Sequence, residues 1–218
     1  MKFKLSCQGI LKYSIAVALF SLPLGAMANG GIETSGSTNT QVNLVENTPV
    51  VNIAKPDSSG ISYNQYNQYN ITPAGAVLNN NNQGQLQSQL LQQLINSNPN
   101  LTHDAASVIL NEVISQNPSL LNGTQEILGK RADLILANPN GITCSGCGFI
   151  NTNAASLVVG KVDFTKSGLK YNTFKNQNRL SITESGVRGS ETLNLIAPSI
   201  NADGPVQANQ KINAIAGN

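Results

Sequence analysis

From Ala132 onward the apolar residues fall in short runs. Asp133-Leu134-Ile135-Leu136, Ser156-Leu157-Val158-Val159 and Thr192-Leu193-Asn194-Leu195-Ile196 are each closed by Gly, Pro or Asn. Ile200, Val206 and Ile212 continue the pattern at intervals of about six residues, separated by Asn201-Ala202-Asp203-Gly204 and Asn209-Gln210. Such intervals are too short for helices and too irregular for a ladder of hairpins. Short strands joined by tight polar corners suit a stacked solenoid, in which each coil buries its inward side chains against the next. An antiparallel sandwich is also compatible, and the pattern alone leaves the two open.

Upstream the signals are more mixed. Residues 29–45 are rich in Gly, Ser, Thr and Asn and read as a flexible N-terminal segment. Val50-Val51-Asn52-Ile53-Ala54 predicts a first strand, stopped by the turn formers Lys55-Pro56-Asp57-Ser58-Ser59-Gly60. Tyr63, Tyr66 and Tyr69 recur at intervals of three, which is the period of neither a clean strand nor a clean helix. They read as partly buried tyrosines on a bent strand, with an aromatic ligand box as the alternative. Asn79 to Asn82 reads as a loop. Leu86, Leu90, Leu91, Leu94 and Ile95 follow helical spacing and predict a short amphipathic helix from Gln85 to Asn96, ending at Asn98-Pro99. Ala105 to Ile114 fits a strand or a helix equally.

The first residues read as an export leader. Lys2, Lys4 and Lys12 precede the mostly apolar stretch Tyr13 to Leu24, and Ala26-Met27-Ala28 fits a small-x-small cleavage site. Residues 1–28 are therefore assigned as a signal peptide and residues 46–218 as one domain, exported without stable insertion in a membrane. The leader also changes the charge. It holds three of the 13 basic residues, leaving 10 against 11 acidic ones. With that balance and no Lys/Arg cluster, the chain offers no surface for tracking nucleic-acid phosphates. Charged residues make up only 11% of the chain and Trp is absent, the composition of a polar, turn-rich β protein.

Candidate chemistry is sparse. Cys7 lies in the leader, so Cys144 and Cys147 are the two cysteines of the exported chain and are candidates for a disulfide. Closing so short a loop restrains the unfolded chain by only about 2 kcal/mol. Two thiols without a second pair make a poor zinc site. A redox role would want a helix N-terminus to activate a thiol, whereas this segment reads as turn and strand. His103, the single histidine, stands beside Asp104 and reads as a surface residue. Asp133, Asp163 and Glu184 have no spacing that makes them a carboxylate pair. No enzyme, cofactor or metal site is expected.

The densest signal is Ala137-Asn138-Pro139-Asn140-Gly141-Ile142, followed by Thr143-Cys144-Ser145-Gly146-Cys147-Gly148-Phe149-Ile150-Asn151-Thr152. Pro139 fixes its own φ and extends Asn138, while Asn140-Gly141 supplies the residues most tolerant of positive φ, so the backbone turns sharply here. Asn98-Pro99-Asn100-Leu101 repeats the theme upstream. Together with Pro49 to Ala54, Gly60 to Tyr66, Ile109 to Val113 and Leu195-Ile196-Ala197, these segments resemble, in order, the secretion domain that opens the exoproteins of two-partner secretion systems. Filamentous hemagglutinins and contact-dependent inhibition toxins are of this kind, and Cys144 and Cys147 match the Cys-x-x-Cys subgroup.

The resemblance implies an all-β, right-handed parallel β-helix with an N-terminal cap and extra-helical β elements, which selects the solenoid over the sandwich. It implies recognition in the periplasm by the POTRA domains of an outer-membrane TpsB-type β-barrel transporter, and nucleation of β-helix folding during export. The product would be a monomer, secreted from or attached to the surface of a Gram-negative bacterium. Asn98, Pro99, Asn100, Leu101, Asn138, Pro139, Asn140, Gly141 and Ile142 become the candidate residues for transporter recognition or for defining the fold. Their types are those a turn demands, which favours the structural role. Because exoproteins of this kind run much longer, the stop at Ala214-Ile215-Ala216-Gly217-Asn218, inside what reads as another coil, predicts a truncated exoprotein. The competing function is a stand-alone adhesive or carbohydrate-binding β module using Tyr63, Tyr66, Tyr69 and the Asn/Gln-rich loops.

Overall fold

The computed structural model describes residues 31–165, 168–173 and 178–217. The leader, with Cys7, lies outside the described residues. Among those residues there is no α-helix, and they form 21 strands. They run β1 (Ile32–Thr34), β2 (Gln41–Val45), β3 (Thr48–Asn52), β4 (Ile61–Tyr69), β5 (Ala76–Asn80), β6 (Gln85–Gln87) and β7 (Leu94–Asn96). Then come β8 (Val108–Val113), β9 (Ser119–Leu121), β10 (Thr124–Gly129), β11 (Ala132–Ala137), β12 (Ile142–Cys144), β13 (Cys147–Ile150) and β14 (Thr152–Val158). The last third holds β15 (Lys161–Thr165), β16 (Gly168–Asn172), β17 (Leu180–Ile182), β18 (Val187–Arg188), β19 (Thr192–Ala197), β20 (Ile200–Ala202) and β21 (Lys211–Ala216).

Three sheets form the faces of a solenoid. A long sheet has the order β1-β4-β8-β11-β14-β19-β21, a second β18-β13-β10-β5-β3-β2, and a third β20-β17-β12-β9. The chain visits them in rotation. β8, β9 and β10 lie on the long, third and second faces, and β11, β12 and β13 repeat the circuit one coil later. All these neighbours pair in parallel, so the fold is a parallel β-helix and not the antiparallel sandwich. Inward residues stack from coil to coil, as in the rung Ile109, Leu134, Ala155 and Leu193. On the third face Leu121, Cys144 and Ile182 form another rung. These inward positions join into one continuous core.

Antiparallel pairing is confined to the periphery. β1 adds to β4 and β2 to β3, capping the N-terminal end. Residues expected to belong to a flexible segment are thus strands, with Ile32 fully buried and the backbone groups of β1 and β2 paired to the first coil. Two hairpins lie outside the helix. β15 and β16 cover the outer face of the long sheet over Leu110, Ile135, Ala137, Val158 and Ile196. β6 and β7 cover the second sheet over Val50, Val77 and Leu128.

That second hairpin replaces the helix expected from Gln85 to Asn96. Leu86 and Leu94 point to solvent, the latter 60% exposed, while Ile95, Leu90 and Leu91 pack on the sheet. The cause is a buried carboxylate on β10. Glu126 accepts from the Ser88 hydroxyl and from the amides of Gln89 (2.8 Å) and Leu90 (2.9 Å), taking donors that a helix would leave to its own first turn. The Asn79–Asn82 stretch also differs from expectation. Asn79 and Asn80 complete β5, and the buried Asn80 carboxamide bonds Ala106 in both directions and reaches the Lys130 carbonyl. Ala105 to Ile114 resolves into strand β8. Val50-Val51-Asn52 lies in β3, the third strand rather than the first.

The tyrosine period is a strand with a bulge. Thr34 pairs with Tyr66 but Glu33 with Gln68, so Asn67 is the extra residue. Tyr66 and Tyr69 consequently both point inward and are fully buried, edge to face with centroids 4.9 Å apart, while Tyr63 points outward. The Tyr69 hydroxyl donates to Gln125 Oε1 (2.7 Å) and accepts from Asn111 Nδ2 (3.1 Å).

Candidate functional site

The two Asn-Pro-Asn segments form corners of the same design. In each, the backbone carbonyl of the first Asn accepts the amide three residues on, from Leu101 (3.1 Å) or Gly141 (3.3 Å). Its side-chain Oδ1 accepts the amide two residues on, from Asn100 or Asn140, at 2.9 Å in both cases. Both bonds are what a turn with a side-chain acceptor at its first position requires. Pro fits between them because the second position needs the φ that its ring imposes and leaves no amide to satisfy.

The remaining amide group of the first Asn faces the interior. Asn98 Nδ2 donates to the carbonyls of Ile53 and Asn79, both at 2.9 Å, and Asn98 is buried. Asn138 Nδ2 donates to the Asn117 carbonyl and the Ser119 hydroxyl, again at 2.9 Å, and is fully buried. The third residue ties the corner to a neighbouring segment. Asn100 Nδ2 reaches the carbonyls of Asn39 (2.7 Å) and Ile53 (3.0 Å), and Asn39 Nδ2 returns a bond to Asn100 Oδ1 (2.9 Å). Asn140 Nδ2 reaches the Ser115 carbonyl (2.8 Å) and Asn138 Oδ1 (3.0 Å). Leu101 and Ile142 then drop into the core. Gly141 has φ +108°, a conformation strained for any residue with a Cβ.

Cys144 and Cys147 end β12 and begin β13 and are joined by a disulfide across the next corner, with Cα atoms 5.4 Å apart. Both are fully buried, and Cys144 is a rung of the third sheet.

Residues 30–218 match the model of the TPS secretion domain. The chain belongs to the TPS secretion domain family. Its relatives include a hemolysin of Proteus mirabilis, 46% identical over 217 residues, and a hemolysin of Serratia marcescens, 45% identical over 228. Each alignment takes in 99% of the chain but only 13% and 14% of the relative's length. A tRNA nuclease CdiA of Yersinia mollaretii is 38% identical over 212 residues, 96% of the chain and 7% of that protein. The crystal structure of the filamentous hemagglutinin secretion domain superposes with a TM-score of 0.78 at 34% identity, covering 86% of the chain and 63% of its counterpart.

The other candidate groups of this secretion domain are dispersed. Asp133 caps the start of β14 by accepting from Asn153 Nδ2 and the Ala154 amide, Asp163 binds Asn172 across the β15–β16 hairpin, and Glu184 is exposed between β17 and β18. His103 is exposed and bonded to its neighbour Thr102. No group of three metal-ligating side chains occurs among the described residues. The tyrosines make no open platform, since two face the core and Tyr63 donates to Glu112 and packs against Phe164 with centroids 5.3 Å apart. Burial, with the Glu112 carboxylate second, pushes the Tyr63 phenol up to about 12.

Sequence reasoning missed Glu126, Asn80 and Asn151. Asn151 has φ 57° and spans another corner, its Nδ2 bonding the carbonyls of Ile127 (2.8 Å) and Gly129 (3.0 Å). Asn at the end of an apolar run is the signal these corners share. Glu126 carries no such signal, because its partners lie in a different part of the chain.

Proposed function

We propose that the chain is the N-terminal secretion signal of a large hemolysin, hemagglutinin or contact-dependent inhibition exoprotein. An outer-membrane TpsB-type barrel recognises it in the periplasm through POTRA domains, and its coils nucleate β-helix folding as the chain emerges. The observation that carries this reading is the family match across residues 30–218. Physical support comes from a sheet end. β2 ends the second sheet at the N-terminal cap, so extended backbone is available there for strand addition.

The Asn-Pro-Asn residues act in this proposal by holding the fold, because their polar groups are spent on neighbouring segments. Direct contact with the transporter is left to the surface around them. A groove of about 430 Å³ lies beside Pro99, lined by Asn43, Val45, Val50, Asn52 and Leu94. The domain works as a monomer. Export of the chain with and without its partner barrel tests the reading. Partner-dependent appearance in the culture supernatant is expected, and retention in the periplasm despite the partner would overturn it.

A further inference from the structure

We propose that Asn140 is a self-modification site that the folded corner switches off. Asn140 is followed by Gly141, whose missing side chain leaves its backbone nitrogen free to approach the Asn140 carboxamide when the chain is unfolded. The nitrogen gives its proton to water or hydroxide and bonds to Cγ; the Cγ–Nδ2 bond breaks and ammonia leaves. Water then opens the resulting succinimide at either carbonyl, giving an aspartyl or isoaspartyl residue.

The folded corner engages both reacting groups. The Gly141 amide donates to the Asn138 carbonyl, and the leaving Nδ2 donates to the Ser115 carbonyl and to Asn138 Oδ1. After modification, a carboxylate oxygen would face those same two acceptor oxygens at 2.8 and 3.0 Å, so the modified chain cannot close the corner. The motif protects its other asparagines chemically. Asn98 and Asn138 precede Pro99 and Pro139, which have no N–H to attack with, and Asn100 precedes Leu101, whose side chain crowds the approach. Gly141 cannot be exchanged as easily, because its φ is +108°. Asn29 and Asn122 also precede glycines, Gly30 and Gly123, so Asn140 is set apart by the corner that holds its carboxamide and not by its glycine alone.

Peptide mapping by mass spectrometry tests this on the whole chain, incubated in mildly alkaline buffer either folded or in concentrated urea. Asn140 should convert on the order of tenfold or more faster in urea, because reaction in the native state requires the corner to open. Asn98 and Asn138 should stay intact in both arms. In the urea arm, where folding is irrelevant, Gly141→Ala should suppress conversion at Asn140. On dilution from urea, chains converted at Asn140 in an Asn29→Gln, Asn122→Gln background, which removes the other two Asn-Gly steps, should remain protease-sensitive while unmodified ones refold. Equal rates at Asn140 in the two arms, an unchanged rate in Gly141→Ala, or normal refolding of modified chains would each overturn the proposal.

Discussion

At the N-terminal end of the long sheet the inward rungs begin with Ser62 and Asn64, whereas further along the same rungs carry Leu134, Ala155 and Leu193, and Leu136, Leu157 and Leu195. The polar end is a network. Asn64 accepts from the Thr40 hydroxyl (2.7 Å) and the Ala54 amide (2.9 Å), and Tyr66, Asn111, Tyr69 and Gln125 are linked in series. The inward rungs of the apolar end hold stacked aliphatic side chains, while the hydrogen-bonded Ser156, Asn194 and Asn213 lie at the alternate positions of the same strands. Directional bonds distinguish one register from another, while aliphatic rungs accept any coil of matching size. The first coils and their cap are thus individually specified, and the later ones are suited to repetitive addition. The two asparagine corners follow the same division: Asn98 and Asn100 reach β3, β5 and the cap, while Asn138 and Asn140 reach the coil just before them.

Exchanging residues between the two ends breaks this comparison most sharply. Leu157 lies between Leu136 and Leu195, and Leu157→Asn would place an amide without partners in the apolar rung. A loss of about 4 kcal/mol is expected from lost apolar burial plus desolvation, read from urea unfolding. Next comes Asn98→Ala at about 3 kcal/mol, because it takes the side-chain donor from the Asn79 carbonyl, one of two donors from the Ile53 carbonyl and the acceptor from the Asn100 amide. Asn138→Ala should cost less, about 2 kcal/mol, since the Ser119 hydroxyl can rotate to another acceptor. Equal midpoints for the two variants would remove the distinction between the corners. Gly141→Ala should cost about 1 kcal/mol through backbone strain alone.

The mildest perturbation is alkali, which should act on the polar end. Burial raises the phenol pKa of Tyr66 and Tyr69, and Tyr63 is raised to about 12. The folded chain therefore holds these protons more tightly than the unfolded one. Their contribution is fully present below the unfolded value near 10 and declines as pH rises from there toward the folded values. Hydrogen exchange followed across that range should show β4, β8 and β10 losing protection before β14 and β19. Loss from the apolar end first would reverse the assignment.

The strands β11, β14 and β19 are legible in the sequence because each apolar run meets the core and stops at a corner residue, whereas β15 and β16 lie outside the helix and carry no such run. The corners themselves are legible because Asn, Pro and Gly act on neighbours two and three residues away. What is not legible depends on contacts made far along the chain. Leu86, Leu90 and Leu94 have helical spacing, but Glu126 claims the amides of Gln89 and Leu90. The Asn79–Asn82 run is as polar as a loop, but Asn80 bonds Ala106 and Lys130 across the interior. In residues 32–45 the composition predicts flexibility, and only pairing to β3 and β4 makes them strands.

The structural role of the asparagine corners is tested most directly by measuring, for wild type, Asn98→Ala and Asn138→Ala, the urea midpoint alongside partner-dependent export. Export should fall in step with stability, with Asn98→Ala the lower in both. Abolished export in a variant that keeps the wild-type midpoint would contradict the account and make these side chains transporter contacts.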